Sequence, residues 1–251
     1  MQGDTTVASA PGAGVPIDIL YADDRICAVA KPSGIMVHPT GISTDRVFLT
    51  DLLRRRLGCP VRAVHRLDRA TSGVLLFALD REAAAELGRQ FREGSVDKRY
   101  LAVVRGWLDD AGVIERPLAR RRGTEQPART HYRCLGRIEL PVPVPPHDSA
   151  RYSFVEARPE TGRRHQIRRH FNGIAHPIVG DVNHGDRRHN RLFRARFGCH
   201  RLLLHAERLA FRHPDDGQWM IVRAPEPADF RDVLDALGWD ETRRDDGPHA
   251  I

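Results

Sequence analysis

The sequence predicts an α+β fold, with strands and helices mixed and no regular β-α-β alternation. Two observations carry this. Apolar runs of strand length, bounded by Gly, Pro or Asp, recur from residue 17 to residue 222, and stretches of helical spacing fall between them at irregular intervals. The 251 residues suffice for one large domain with a substantial core, or two small ones. The segments flanking the one plausible boundary, a proline-rich stretch at 139–146, are strands of similar character. One domain over residues 16–238 is therefore expected, with a disordered tail at 1–15 and a flexible tail at 239–251.

Taken in order, residues 17–21 and 26–30 are short apolar runs around Asp23-Asp24 and read as two strands joined by a tight turn. Lys31-Pro32-Ser33-Gly34 ends the second. Residues 50–57 have helical spacing and stop at Gly58. Residues 74–79 form an unbroken apolar run, as a central strand requires. Residues 81–93 are rich in Ala, Glu and Arg and form a helix ending at Gly94. Residues 100–104, 130–138 and 152–157 read as strands. The prolines between the last two lack ladder donors, so 139–146 reads as a surface loop. A short helix at 165–172, strands at 202–211 and 219–222 and an amphipathic helix at 227–237 complete the expectation. Residues 187–196 show little regular structure by pattern and read as a loop that orders on a partner.

The composition is that of a soluble globular chain. No run of about 18 apolar residues exists, so no membrane span is expected. The N-terminus has neither a basic nor an apolar signal region, which implies the cytoplasm. Cys27, Cys59, Cys134 and Cys199 stand far apart without a Cys-x-x-Cys pair; free, mostly buried thiols are expected. The net charge of +7 is clustered. Residues 151–212 hold fourteen arginines against five acids, leaving the remainder slightly acidic. Such a segment suits a polyanionic partner. Only two lysines occur, Lys31 and Lys98, and both lie inside motifs. A lysine kept in so arginine-rich a chain points to a need for a compact ammonium.

The most informative string is His65-Arg66-Leu67-Asp68-Arg69-Ala70-Thr71-Ser72-Gly73. Three readings of Asp68 compete. It is a structural acid paired with Arg66 or Arg69; or part of a metal site with histidines such as His165, His170, His176, His200 and His205 and with Asp181; or a nucleophile. The metal reading lacks the dense carboxylate cluster that two-metal chemistry needs. A kinase-like catalytic loop is disfavoured because no Gly-x-Gly-x-x-Gly precedes it.

This string resembles the catalytic motif of the RluA-type pseudouridine synthases. The resemblance continues in order through Lys31-Pro32-Ser33-Gly34 with Val37-His38-Pro39, Lys98-Arg99-Tyr100, Thr161-Gly162-Arg163-Arg164-His165-Gln166-Ile167-Arg168, and His176-Pro177-Ile178-Val179-Gly180-Asp181. The chain departs from the family after Asp181, where many members carry Tyr-Gly and this one reads Val182-Asn183-His184-Gly185-Asp186. With residues 126–132 and 187–190, that stretch resembles the branch acting on uridine 65 of tRNA.

The resemblance implies a mixed, mostly antiparallel sheet with a central RNA-binding cleft and flanking helices. It implies isomerisation of a uridine to pseudouridine in structured RNA, tRNA above ribosomal RNA, with no cofactor and no metal; a non-catalytic RNA-binding relic is the alternative. Asp68 is then the catalytic carboxylate, ionised at neutral pH as covalent or base work requires. Arg168 is its partner, and Tyr100 lies against the uracil. Arg66, Lys98, Arg163, His165, Arg187, Arg188 and Arg191 are assigned to RNA and substrate binding. A monomer is expected.

Overall fold

The computed structural model describes residues 17–39, 47–120 and 123–239. Strands β1 (Asp18–Ala22) and β2 (Ile26–Lys31) form a hairpin, its turn held by Asp23, whose Oδ1 accepts the amides of Arg25 and Ile26 at 2.8 Å each. Helix α1 (Leu49–Leu57), β3 (Arg62–Ala63), β4 (Ser72–Ala78), α2 (Arg81–Glu93) and β5 (Asp97–Arg105) follow. Next come β6 (Ala111–Glu115), a small hairpin of β7 (Leu118–Ala119) and β8 (Glu125–Gln126), and the long pair β9 (Arg129–Leu140) and β10 (Ala150–Pro159). Helices α3 (Gln166–Gly173) and α4 (Arg187–Phe197), strands β11 (Leu204–Arg212) and β12 (Trp219–Arg223), and helix α5 (Ala228–Ala236) complete the order.

Ten strands form one mixed sheet in the order β1-β2-β4-β11-β5-β10-β9-β6, with β12 on β11 and β3 on β4. Among these ten strands only β4 and β11 pair in parallel. At their junction the backbones close in on Gly73: with φ +119, a Cβ there would stand 2.1 Å from the Ala206 carbonyl oxygen. The sheet carries helices on both faces, which is why its central strands read as unbroken apolar runs. In β4, Leu75 and Phe77 pack with α1 residues Leu49 and Leu53. The alternate residues Val74, Leu76 and Ala78 pack with Ala83 and Leu87 of α2. In β5, Leu101 and Val103 meet Phe193 of α4 and Phe230 and Leu234 of α5, whereas Ala102 and Val104 meet Ile167 and Phe171 of α3.

Three expectations are corrected and one strand is added. Residues 187–197 are a helix, not a loop. Arginine is a good helix former, Asp186 caps the first turn by accepting the Arg188 amide at 2.9 Å, and Phe193 buries completely against the sheet. Strand β6 has no counterpart in the pattern reading. The proline-rich stretch is not wholly a surface loop: β9 runs to Leu140, and Leu140 and Val144 are buried in the core. Trp239, assigned to the flexible tail, is 3% exposed and stacks on Phe154 with centroids 5.7 Å apart; the tails at 1–15 and 240–251 lie outside the described residues. Cys27 and Cys199 are buried, and Cys59 and Cys134 half-buried, all as free thiols. No helix among the described residues is long and apolar enough to cross a membrane.

Candidate active site

Asp68 lies on the loop between β3 and β4, and the loop is pinned from several sides. Its backbone makes a turn in which the Thr71 amide donates to the Asp68 carbonyl at 3.0 Å. The Lys31-Pro32-Ser33-Gly34 turn latches the far side. Lys31 Nζ donates to the carbonyls of Pro32, Ile35 and Arg69 at 2.8, 2.9 and 3.1 Å, Ser33 Oγ donates to Ala70 O at 2.7 Å, and the Gly34 amide donates to Arg69 O at 2.8 Å. Lys31 is 1% exposed. Burial brings its ammonium down to about 7, against the opposing pull of Asp68. His65, stacked on Phe91, accepts the Leu76 amide at 3.0 Å; burial takes it down to about 3, so it is a neutral prop for the loop.

Arg168 sits in the first turn of α3 with its guanidinium shared between two carboxylates. Nε and Nη2 grip Asp181 at 2.7 and 2.8 Å, and Nη1 donates to Asp68 Oδ2 at 2.9 Å. Arg168 and Asp181 are both buried. Burial alone would raise the Asp181 carboxyl, but the hydrogen bonds from Arg168 and the His184 and Asn183 amides outweigh it and hold the carboxyl below its ordinary value. Burial likewise opposes the charge on Arg168, and the two carboxylates outweigh it. Arg69 Nε donates to the Gly34 carbonyl at 2.9 Å, and Arg66 is exposed at the cleft mouth.

Lys98 and Tyr100 alternate with Arg99 along β5, so both face the cleft while Arg99 turns away to Glu156 at 3.1 Å. With His65, Arg66, Asp68, Phe91 and residues 159–168 they line a cavity of about 690 Å³, in the range of small-ligand sites. Lys98 Nζ donates to the Glu160 carbonyl at 3.3 Å, and burial lowers its ammonium to about 8. Burial, and then the Asp68 charge, push the Tyr100 hydroxyl upward, so it is protonated at neutral pH.

The segment Gly162 to His165 is the wall between this cleft and a second cavity of about 1070 Å³, which is lined by Arg120, Arg163, Arg164 and Arg169 and, among the described residues, by no carboxylate side chain. Gln166 shapes that wall: its Oε1 accepts from Thr161 Oγ1 and the Arg163 amide at 2.7 and 3.0 Å, and its Nε2 donates to Arg129 O at 2.9 Å. His165 takes the left-handed conformation just before α3 and faces Asp68 Oδ1 across 3.8 Å.

Of the other histidines, His170 binds Thr130 and the Arg116 carbonyl, His176 the Arg105 carbonyl, and His205 Ser72 and the Ala224 carbonyl. They do not converge on Asp68. Among the described residues no group of three or more His, Cys, Asp or Glu is placed to share a metal ion. Arg187 and Arg191 are exposed on α4, and Arg188, also exposed, pairs with Asp186 at 3.6 Å and donates to the Pro145 carbonyl; Arg158, Arg201 and Arg208 of the same basic segment are tied up with Glu156, Asp229 and Asp97. For two members of the site the sequence discloses little of what they do. Lys31 stands out as a rare lysine inside a motif, but its partners are carbonyls, which no sequence pattern names. His184, which meets His165, shows itself only as a departure from the family's Tyr-Gly.

The comparisons agree with this geometry. The family model described as RNA pseudouridylate synthase matches residues 25–173. The protein named tRNA pseudouridine synthase C of Salmonella typhi is 43% identical over 89% of this chain and 90% of its own length. Its namesake in Pectobacterium carotovorum subsp. carotovorum is equally similar, and there the chain spans 62% of the relative's length. The solved structure of Human RNA Pseudouridylate Synthase Domain Containing 1 superposes with a TM-score of 0.68 at 29% identity, over 87% of this chain and 86% of that one. With the motifs gathered around one cleft and a family match over more than half its length, the chain belongs to the RNA pseudouridylate synthase family, isomerases that convert uridine to pseudouridine.

Proposed function

We propose that the chain converts a uridine of tRNA to pseudouridine with Asp68 as nucleophile and without a cofactor. The observation that carries this reading is the Asp68–Arg168 pair at the cleft that Lys98 and Tyr100 also line. The names of the relatives favour tRNA over ribosomal RNA, and the resemblance at residues 182–190 favours uridine 65.

The reaction breaks the N1–C1′ bond and forms C5–C1′; N1 gains one proton and C5 loses one. No electrons are exchanged, so the chemistry calls for a nucleophile, a pocket for the detached base and a proton path. Arg168 occupies Asp68 Oδ2 and leaves Oδ1 to react. Attack at C1′ displaces uracil, the base turns within the cleft, and C5 returns to C1′ as the carboxylate leaves. Tyr100 enters as a neutral hydroxyl that stacks or donates. A base in folded RNA must first leave its stack, at a cost of a few kcal/mol, and Arg66 at the cleft mouth suits the space it vacates or the phosphate beside it. Arg163, His165 and the α4 arginines Arg187, Arg188 and Arg191 would carry the RNA backbone, which positions substrate without reading sequence.

Asp68→Asn should abolish tritium release from RNA labelled at uridine C5 while RNA binding persists. Retained turnover would overturn the nucleophile. Chelators should leave the rate unchanged, and mapping pseudouridine in tRNA with and without the protein tests the target.

A further inference from the structure

Asp181 is the root of two hydrogen-bonded arms that both lead to Asp68. The first is Arg168, already described. The second begins where Asp181 Oδ1 accepts the amides of Asn183 and His184 at 2.9 and 3.0 Å, fixing the turn that carries His184. His184 Nε2 lies 2.9 Å from His165 Nδ1, with the rings edge to face at 76°. The other nitrogen of His165, Nε2, faces Asp68 Oδ1 at 3.8 Å. That is the carboxylate oxygen Arg168 leaves open. His165 holds this pose at φ 53, a conformation that costs a non-glycine residue on the order of 1 kcal/mol or more. The second arm runs through residues 182–184, where the chain departs from the Tyr-Gly pattern of the family.

We propose that His184 is a positioning residue for the isomerisation: it donates from Nε2 to His165 Nδ1, so that His165 turns an Nε2–H toward Asp68 Oδ1 and holds that oxygen in register with the cleft. The proposal rests on Asp68 being the reacting carboxylate.

The tautomer follows from electrostatics. Burial lowers both rings below the ordinary histidine value, although Asp68 pulls His165 the other way and Asp181 does so for His184. Arg168 lowers both, Arg164 and His184 lower His165, and Arg169 lowers His184. Each ring therefore carries one N–H at neutral pH. Were the His165 proton on Nδ1, the Nε2 lone pair would confront a carboxylate. With the proton on Nε2 that contact becomes attractive, and Nδ1 is left to accept from His184. The partner of one imidazole nitrogen fixes what the other presents. At 3.8 Å the contact to Asp68 is longer than a hydrogen bond; catalytic contacts of this kind shorten when substrate fills the site.

The test is histidine ¹⁵N NMR on the full chain, joined to single-turnover kinetics. In the wild type, His165 should show protonated Nε2 and bare Nδ1. His184→Leu should lose that preference and slow single turnover roughly 10- to 100-fold, with RNA affinity unchanged. His184→Gln, whose amide can donate to the same atom, should recover most of the rate. A His165 protonated at Nδ1 in the wild type would overturn the proposal, and this reading does not require any variant to fold. So would a loss confined to RNA affinity, or a glutamine variant no better than leucine. Turnover retained by Asp68→Asn would instead overturn the nucleophile, whatever tautomer His165 shows.

Discussion

Arg168 reaches Asp68 across 2.9 Å, though 100 residues separate them, with a guanidinium already committed to Asp181. The arrangement uses three donors of one planar fork on two carboxylates, which an ammonium cannot imitate. It also makes the site part of the core: the residue that orients Asp68 holds a buried acid at the same time.

Two substitutions of Arg168 should therefore fail differently. Arg168→Lys keeps a charge near Asp181 but loses the fork; single turnover should fall by about 100-fold or more with little change in stability. Arg168→Met leaves Asp181 buried and unpaired, which should cost about 3–5 kcal/mol in urea unfolding at pH 7. The sign with pH is fixed by Asp181, whose carboxyl is held below its ordinary 3.8 in the folded chain. Its stabilisation is complete above that ordinary value and fades as pH falls through the depressed one. The acid limb of the stability profile should shrink in the Met variant; an unchanged limb would mean Asp181 does not depend on Arg168.

Lys31 gives a pH signature of the same sense, placed in the neutral-to-basic range instead of the acid one. The folded chain lets go of its proton near 7, whereas the unfolded chain keeps it to about 10.5. Within that window the unfolded state binds more protons, so stability rises with pH, by up to about 1.4 kcal/mol per unit. Lys98, lowered to about 8, adds a contribution of the same sign above that value. Comparing urea midpoints between pH 7 and 9.5 for the wild type and Lys31→Met isolates the Lys31 share: the variant should show the shallower rise. Equal slopes would show that the Lys31 ammonium keeps its ordinary affinity for protons.

Gly73 tests the β4 and β11 junction behind the Asp68 loop. A methyl group there would meet the Ala206 carbonyl at 2.1 Å on a backbone at φ +119. Either problem alone costs a few kcal/mol, and the obstruction is backbone rather than a side chain that can swing away. Gly73→Ala should lower the melting temperature by about 6–12 °C, on the order of 3 kcal/mol. Gly34→Ala has open space despite φ +90, so it should suffer the backbone strain alone and a smaller loss.

How far the sequence discloses this architecture depends on what each residue touches. The strand at β4 is legible because it is buried on both faces and reads as an apolar run; Lys98 and Tyr100 share a face because strand periodicity demands it. Strand β6 escapes because it lies at the sheet edge, where Val113 is half exposed and no alternation is imposed. Helix α4 escapes because its five arginines mask a narrow apolar stripe of Leu192, Phe193 and Phe197. The contact of Arg168 with Asp68 follows from no local rule; the family resemblance alone pairs them in advance. Lys31 and His184 act on carbonyls and on another imidazole, partners that leave no charge pattern to read.

Helix α4 changes the prediction about RNA. Its exposed Arg187, Arg191 and Arg194 recur with helical spacing and form one stripe, already ordered by the Asp186 cap and by Phe193 in the core. A preformed stripe loses little backbone entropy on binding, so RNA should add no helical signal in far-ultraviolet circular dichroism. Arg187→Gln with Arg191→Gln should weaken RNA binding and reduce the slope of log affinity against log salt by roughly one per lost phosphate contact, about two in all. The double variant should keep its unfolding midpoint, because neither side chain is buried. An unchanged salt slope would show that this face points away from the RNA, and a gain of helix on binding would show that the segment is not folded in the free protein.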